Sequence, residues 1–128
     1  MARSLLFDTD VLIDYLRGRS AAVEYLELLP VVPAVSAITI AELYAGVREG
    51  MERDALDGLT DTLSVIDVSQ EIARLGGLIR RDYFNSHGVG INDAMIAATA
   101  EVENRSLVAL NRKHFPTLAD VIIPYRKS

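Results

Sequence analysis

The sequence of 128 residues contains no cysteine, few prolines and only 2 histidines. Without cysteine, the chain can form neither a disulfide framework nor a thiolate zinc site, and it has no cysteine nucleophile. It also lacks any apolar run near the roughly 18 residues that span a bilayer. The stretch before Asp8 is too short for the apolar core of a secretory signal. We therefore expect a cytoplasmic protein without a membrane segment.

What the sequence does have is apolar content, since 50% of its residues are hydrophobic. This content excludes disorder except at the termini. A chain of this length suits one domain and buries roughly two thirds of its unfolded surface on folding. We therefore treat residues 1–128 as a single domain.

The net charge of −5 argues against a protein that simply coats nucleic acid. The charge is uneven, because residues 1–64 carry 5 basic and 11 acidic side chains, whereas residues 65–128 carry 8 basic and 7 acidic ones. A phosphate-bearing partner should therefore meet the second half, although charge alone favours a solvated surface. The basic side chains there include Arg80, Arg81, Arg105, Arg112, Lys113, Arg126 and Lys127.

Short apolar strands alternate with helices along the chain. Strands are predicted at residues 4–7, 31–35, 64–68, 107–110 and 121–123. Helices are predicted from about residue 11, at 21–29, 39–49 and 52–63, from 69 to about 85, and from 92. Alternation with short joins is typical of a parallel sheet covered by helices on both faces. In such sheets the functional crevice lies at the carboxyl ends of the strands.

Three carboxylates lie where this rule points. Asp8 directly follows the first strand, Glu42 lies one turn into the helix after the second strand, and Asp93 begins the helix before the fourth. Carboxylates brought together repel each other unless a cation neutralises them. Oxygen ligands without cysteine or histidine beside them select Mg²⁺ or Mn²⁺, which can activate water and neutralise phosphate oxygens. The pattern therefore predicts a metal site.

Each of these residues also has a structural interpretation. Asp8 and Asp10 can cap the helix that follows them. The segment from Thr39 to Glu42 has the sequence of a capping box. Asp93 can be a carboxylate that stabilises a helix N-terminus. These independent interpretations do not explain why all three carboxylates lie at or just beyond the places that this rule selects, and the coincidence favours the metal site.

Four sequence blocks resemble, in order, those of PIN-domain proteins: 6–13 (LFDTDVLI), 38–43 (ITIAEL), 92–100 (NDAMIAATA) and 107–115 (LVALNRKHF). The chain is similar end to end to the VapC-type toxins of bacterial and archaeal toxin–antitoxin modules. The resemblance implies a three-layer α/β/α fold with a five-stranded parallel sheet. It also implies a Mg²⁺- or Mn²⁺-dependent endoribonuclease, and a homodimer inhibited by a VapB-type antitoxin encoded beside it.

Carried over by position, the resemblance makes Asp8 and Asp93 the main metal ligands, and Glu42 completes the catalytic acidic cluster. Thr9 supports this site by hydrogen-bonding a ligand carboxylate or a phosphate, or it only caps a helix. Asn111 directly follows the fourth strand, where many PIN domains carry a fourth acid. An amide can still orient a metal-bound water, but it brings no charge, which weakens the case for a second tightly bound metal ion.

Basic and aromatic residues follow in the same block. Arg112 and Lys113 can hold RNA phosphates or can lie in a solvated turn. His114 has the chemistry of a general base, but metal-bound water needs none. We therefore interpret His114 as a partly buried histidine beside Phe115.

Other functional classes remain open. The sequence DTD at 8–10 mimics the nucleophile and acid of haloacid-dehalogenase-type phosphatases, but that chemistry also uses a lysine, and the chain has only Lys113 and Lys127. A phosphate-receiving signalling domain would need an acceptor such as Asp67 at the end of the third strand. A catalytically inactive PIN fold that serves as a binding module is kept open by Asn111.

Overall fold

The computed structural model describes residues 4–126. Its strands are β1 (Leu5–Phe7), β2 (Ala34–Ser36), β3 (Ser64–Ile66) and β4 (Ser106–Val108). Its helices are α1 (Thr9–Leu16), α2 (Ser20–Glu27), α3 (Ala37–Ala45), α4 (Met51–Thr60), α5 (Gln70–His87) and α6 (Ile91–Val102), followed by a 3₁₀ turn (Arg112–His114). Lys127, one of the basic residues noted in the sequence, lies outside the described residues.

The strands pair in parallel, as predicted, but they are fewer and shorter. β1 pairs with β4, with Leu6 opposite Leu107. β2 pairs with β3, with Val35 opposite Val65. β1 and β2 lie beside each other, yet the pairing among the described strands forms two two-stranded ladders. The prediction of one five-stranded sheet is therefore wrong.

The predicted fifth strand is reduced to a single bridge between Val108 and Ile122. The Ile122 N–H donates to the Leu107 carbonyl at 2.8 Å, and the Ala109 N–H donates to the Ile122 carbonyl at 3.0 Å. Pro124 follows and has no N–H to continue the pairing. Proline has a similar effect at β2, which begins only after Pro33, so that the predicted residues 31 and 32 lie exposed before it.

Helices cover the strands on both faces. In β1 and β4, Leu6 and Leu107 belong to a core that includes residues of α5 and α6. Their neighbours Phe7 and Val108 belong to a second core with residues of α1, α3 and α4. Because successive side chains of a strand point to opposite faces, the two cores lie on opposite sides of the strands. The predicted three-layer α/β/α arrangement is confirmed.

Helix α5 is longer than predicted. Its N-cap is Ser69, whose Oγ accepts a hydrogen bond from the Ile72 N–H at 3.1 Å. It continues to His87 and ends at Gly88, where φ is 68° and glycine carries no steric penalty. Over residues 4–126, no helix combines the length and apolar character needed to cross a membrane.

Helices α5 and α6 approach closely at Gly76. A Cβ atom built there would lie 3.2 Å from the Met95 Cα and would also collide with the Met95 sulfur. We therefore expect Gly76→Ala to destabilise the protein by about 1–3 kcal/mol, because overpacking outweighs the better helix propensity of alanine. Gly77→Ala is the matched control, since nothing lies within 4 Å of its Cβ position. It should be neutral or stabilising in urea unfolding; equal stabilities for the two variants would contradict the close packing.

Candidate active site

Asp8 lies at the carboxyl end of β1, where the chain turns into α1. Its N–H donates to the Val108 carbonyl at 2.9 Å and so extends the pairing of β1 with β4 by one residue. The residue is only 6% exposed. Although Asp8 occupies the N-cap position of α1, its side chain makes no capping hydrogen bond. Helix capping therefore does not account for this buried acid.

The electrostatic surroundings of Asp8 are acidic. Burial, together with the charges of Asp10, Asp93 and Glu42, raises the pKa of Asp8 to about 7, although a hydrogen bond from the Thr9 backbone N–H acts in the opposite direction. Every charged side chain in this set is negative. The fold therefore brings Glu42 and Asp93 close enough for their charges to act on Asp8. Asp10, in the first turn of α1, acts on Asp8 in the same way.

Glu42 is held by side chains from two other helices. The Thr9 hydroxyl lies 2.6 Å from Glu42 Oε1 and 3.0 Å from the Thr39 hydroxyl. Because a hydroxyl has one hydrogen to donate, Thr9 donates to Glu42 and accepts from Thr39. On the other side, Asn92 Nδ2 donates to Glu42 Oε2 at 3.3 Å. Glu42 thus links α3 to α1 and α6.

The capping-box interpretation of Glu42 is wrong because α3 begins earlier than predicted. Its N-cap is Ser36, whose Oγ accepts from the Ile38 N–H at 3.0 Å. Thr39 lies inside the helix and contacts Thr9. The helix also ends earlier, at Gly46 rather than Gly50.

Asp93 lies in the first turn of α6 and faces the turn after β4. Its Oδ2 is 3.5 Å from His114 Nδ1, and its side chain is 30% exposed. Burial raises the pKa of Asp93, Glu42 and Asp10 raise it as well, and His114 lowers it. Asp93 therefore shares the acidic field of Asp8 and has one basic neighbour, His114, which sequence reasoning set aside.

The polar residues after β4 form hydrogen bonds within their own turn and with the C-terminal segment. Asn111 caps the 3₁₀ turn, where its Oδ1 accepts from the Lys113 N–H at 3.0 Å, and its Nδ2 lies 3.2 Å from His114 Nε2. Arg112 Nη2 donates to the Val121 carbonyl at 3.2 Å and so fastens the C-terminal segment. Lys113 is exposed. Of the two predicted phosphate-binding residues, Arg112 therefore already has a structural role.

The donor set suits a hard divalent cation. Asp8, Glu42 and Asp93 offer only oxygen ligands, and a bound cation would offset both the burial and the like-charge repulsion that raise the pKa of Asp8. Within residues 4–126, however, no three Asp, Glu or His side chains converge tightly enough to form a complete metal site as they stand. The residues fit Mg²⁺ or Mn²⁺, and binding would require their side chains to close on the ion.

Comparison with known proteins identifies the family of this chain. Residues 5–121 match the PIN domain family, so the chain belongs to it. Within that family, the chain is 40% identical to Ribonuclease VapC19 of Mycobacterium tuberculosis over 124 residues, which cover 94% of this chain and 98% of the relative. The resemblance expected from the four sequence blocks is confirmed.

Solved structures show the same likeness. A toxin–antitoxin complex from Klebsiella pneumoniae contains a chain that is 32% identical, with a TM-score of 0.82 over 97% of this chain and 100% of the other. VapBC2 from Rickettsia felis, solved with a DNA fragment from its promoter, is 28% identical with a TM-score of 0.70, covering 92% of this chain and 95% of the other.

Proposed function

We propose that this protein is a metal-dependent endoribonuclease that acts as the toxin of a VapBC-type toxin–antitoxin module. The observation that carries the proposal is the buried carboxylate of Asp8, which ends β1 among Asp10, Glu42 and Asp93 and has only negative side chains acting on it. The similarity to Ribonuclease VapC19 over nearly the whole length of both chains supports the same activity.

In this proposal Asp8, Glu42 and Asp93 hold Mg²⁺ or Mn²⁺. When bound, the ion supplies a water of lowered pKa and neutralises charge on the scissile phosphate. Thr9 and Asn92 fix both oxygens of Glu42, so this ligand is oriented before the ion arrives. Lys113, exposed in the turn after β4, is placed to attract an RNA phosphate.

A single assay separates this activity from its rivals. We expect the purified protein to cleave RNA with Mg²⁺ or Mn²⁺, to be inactive with EDTA, and to leave p-nitrophenyl phosphate and acetyl phosphate unchanged. Hydrolysis of p-nitrophenyl phosphate would instead favour the phosphatase, and a stable phosphoryl group taken from acetyl phosphate would favour the receiver domain. RNA that stays intact at every metal concentration would favour the inactive binding module.

We also propose a VapB-type antitoxin as partner and a homodimer as the basic assembly. The similar structures from Klebsiella and Rickettsia support the antitoxin partner, since both are toxin–antitoxin complexes. An apolar groove of about 670 Å³, lined by residues that include Leu16, Leu43 and Met51, adjoins Glu42. An antitoxin helix seated there would cover one side of the acidic site.

Light scattering tests both parts of this proposal. The protein alone should scatter as about twice its chain mass of 14.0 kDa. Co-expression with the product of the neighbouring gene should give a larger complex without ribonuclease activity. A monomer that does not bind that product would contradict both the homodimer and the antitoxin partner.

A further inference from the structure

His114 bridges two elements that sequence reasoning did not connect. It ends the 3₁₀ turn after β4, and its Nδ1 lies 3.5 Å from Oδ2 of Asp93 on α6. Its Nε2 lies 3.2 Å from Asn111 Nδ2. The imidazole ring is therefore placed between the amide of Asn111 and the carboxylate of Asp93.

The hydrogen bonds of Asn111 determine which ring nitrogen carries the proton. Because Asn111 Oδ1 accepts from the Lys113 N–H, its Nδ2 group is the end that faces His114. An amide NH₂ can only donate, so His114 Nε2 accepts. In the neutral imidazole the remaining proton then lies on Nδ1. Nδ1 is the ring atom that lies 3.5 Å from Asp93 Oδ2.

The ring is also held by packing and by its own backbone. Phe115 is fully buried, and its ring meets the His114 ring edge-on, with the centroids 6.3 Å apart. The His114 N–H donates to the Asn111 carbonyl at 3.3 Å, and the Phe115 N–H donates to the Arg112 carbonyl at 3.0 Å. These contacts fix the turn that carries the imidazole and pack one side of the ring against Phe115.

We propose that His114 is a positioning residue that orients the Asp93 carboxylate for the metal ion, and that Asn111 acts by fixing His114 rather than as a ligand. The proposal rests on the function proposed above. Nδ1 needs to close only slightly from 3.5 Å to donate a hydrogen bond to Oδ2, which would leave Oδ1 for the metal. Losing such an outer partner of a ligand typically costs about 10- to 100-fold in metal affinity. In this proposal the Asn111 amide orients His114, and not a metal-bound water as the sequence predicted.

Mn²⁺ binding to the protein alone, measured by titration calorimetry, tests the role of His114. His114→Asn keeps an N–H near the position of Nδ1, whereas His114→Gln places its amide near Nε2 and withdraws the donor from Asp93. We expect His114→Gln and His114→Ala to raise the Mn²⁺ Kd about 10-fold, and His114→Asn to stay within about threefold of the parent. A residue needed only for packing would not be rescued by asparagine in this selective way.

The role of Asn111 is tested by a double-mutant cycle on the same Kd. If Asn111 acts through His114, Asn111→Ala should weaken Mn²⁺ binding in the parent and have no further effect in the His114→Ala background. His87→Ala is the matched control, because this second histidine lies at the end of α5 and contacts Ser86 and Tyr83. It should bind Mn²⁺ like the parent.

The other outcomes separate the two proposals. Parental Mn²⁺ affinity in His114→Gln, or binding in His114→Asn as weak as in His114→Ala, would overturn the positioning role. Additive losses in the cycle would overturn the action of Asn111 through His114. Asp93→Asn measures the metal site itself, so if it retains parental affinity, or if the parent binds no Mn²⁺, the proposed metal site fails and the role of His114 fails with it.

Discussion

Asp8→Asn and Asp93→Asn should each lower Mg²⁺-dependent RNA cleavage by about 100-fold or more while leaving the chain folded. Each change keeps the shape of the side chain but removes one negative charge from the set that would hold the cation. A metal ion contributes several kcal/mol of charge stabilisation in such reactions, and each 1.4 kcal/mol corresponds to about a factor of ten in rate. Initial rates at saturating Mg²⁺, with circular dichroism to check folding, measure the effect.

Asp67→Asn is the matched control for these variants. Asp67 also lies just beyond the carboxyl end of a strand, but it is exposed and is not among the charges that act on Asp8. It should therefore cleave RNA at the parental rate. Parental cleavage by Asp8→Asn or Asp93→Asn would remove the proposed site. Loss of activity in Asp67→Asn alone would indicate that the active site lies at the end of β3.

The proximity of the three carboxylates can be predicted from the sequence because it follows from topology. Residues 4–7 are predicted to form a buried strand, which places Asp8 at its carboxyl end. Parallel strands end at the same edge of the sheet, so this edge also collects residues that follow other strands. The structure then places Glu42 and Asp93 within the electrostatic field of Asp8. Each step needed only the order of elements and their apolar pattern.

The contacts that orient those carboxylates could not be predicted in the same way. Thr9 and Glu42 are 33 residues apart, and Asn92 and Glu42 are 50 apart. Such pairs depend on how helices rotate and pack, which periodicity does not determine. The box-like spacing of Thr39 and Glu42 was misleading because Ser36 caps α3 earlier, so that Thr39 faces α1 instead of the helix end.

The extent of the sheet was a second limit of prediction. An apolar triplet such as residues 121–123 has the composition of a strand, but its pairing also requires backbone donors along its length. Pro124, two residues after the bridge at Ile122, has no N–H to donate. The contact between His114 and Asp93 is not predictable from the sequence either, because the two residues lie on different elements and nothing in the local sequence indicates their proximity.

Without metal, the protein should be more stable at pH 5.5 than at pH 8, and Asp8→Asn should remove much of that difference. The pKa of Asp8 is about 7 in the folded protein and about 3.9 in an unfolded chain. Between these values the folded state keeps a proton that the unfolded state has lost, so stability falls as pH rises through about 7. The full shift corresponds to at most about 4 kcal/mol, and the raised pKa of Asp93 acts in the same direction.

Urea unfolding of parent and Asp8→Asn in EDTA at the two pH values isolates this effect, because the histidines contribute equally to both proteins. The amide cannot ionise, so at pH 8 the variant should be the more stable of the two. Mg²⁺ should reverse that order, since an ion bound only by the folded state stabilises the parent more than a variant that has lost a ligand. If the two proteins show the same pH dependence in EDTA and the same gain with Mg²⁺, then Asp8 neither carries the buried charge nor binds the ion.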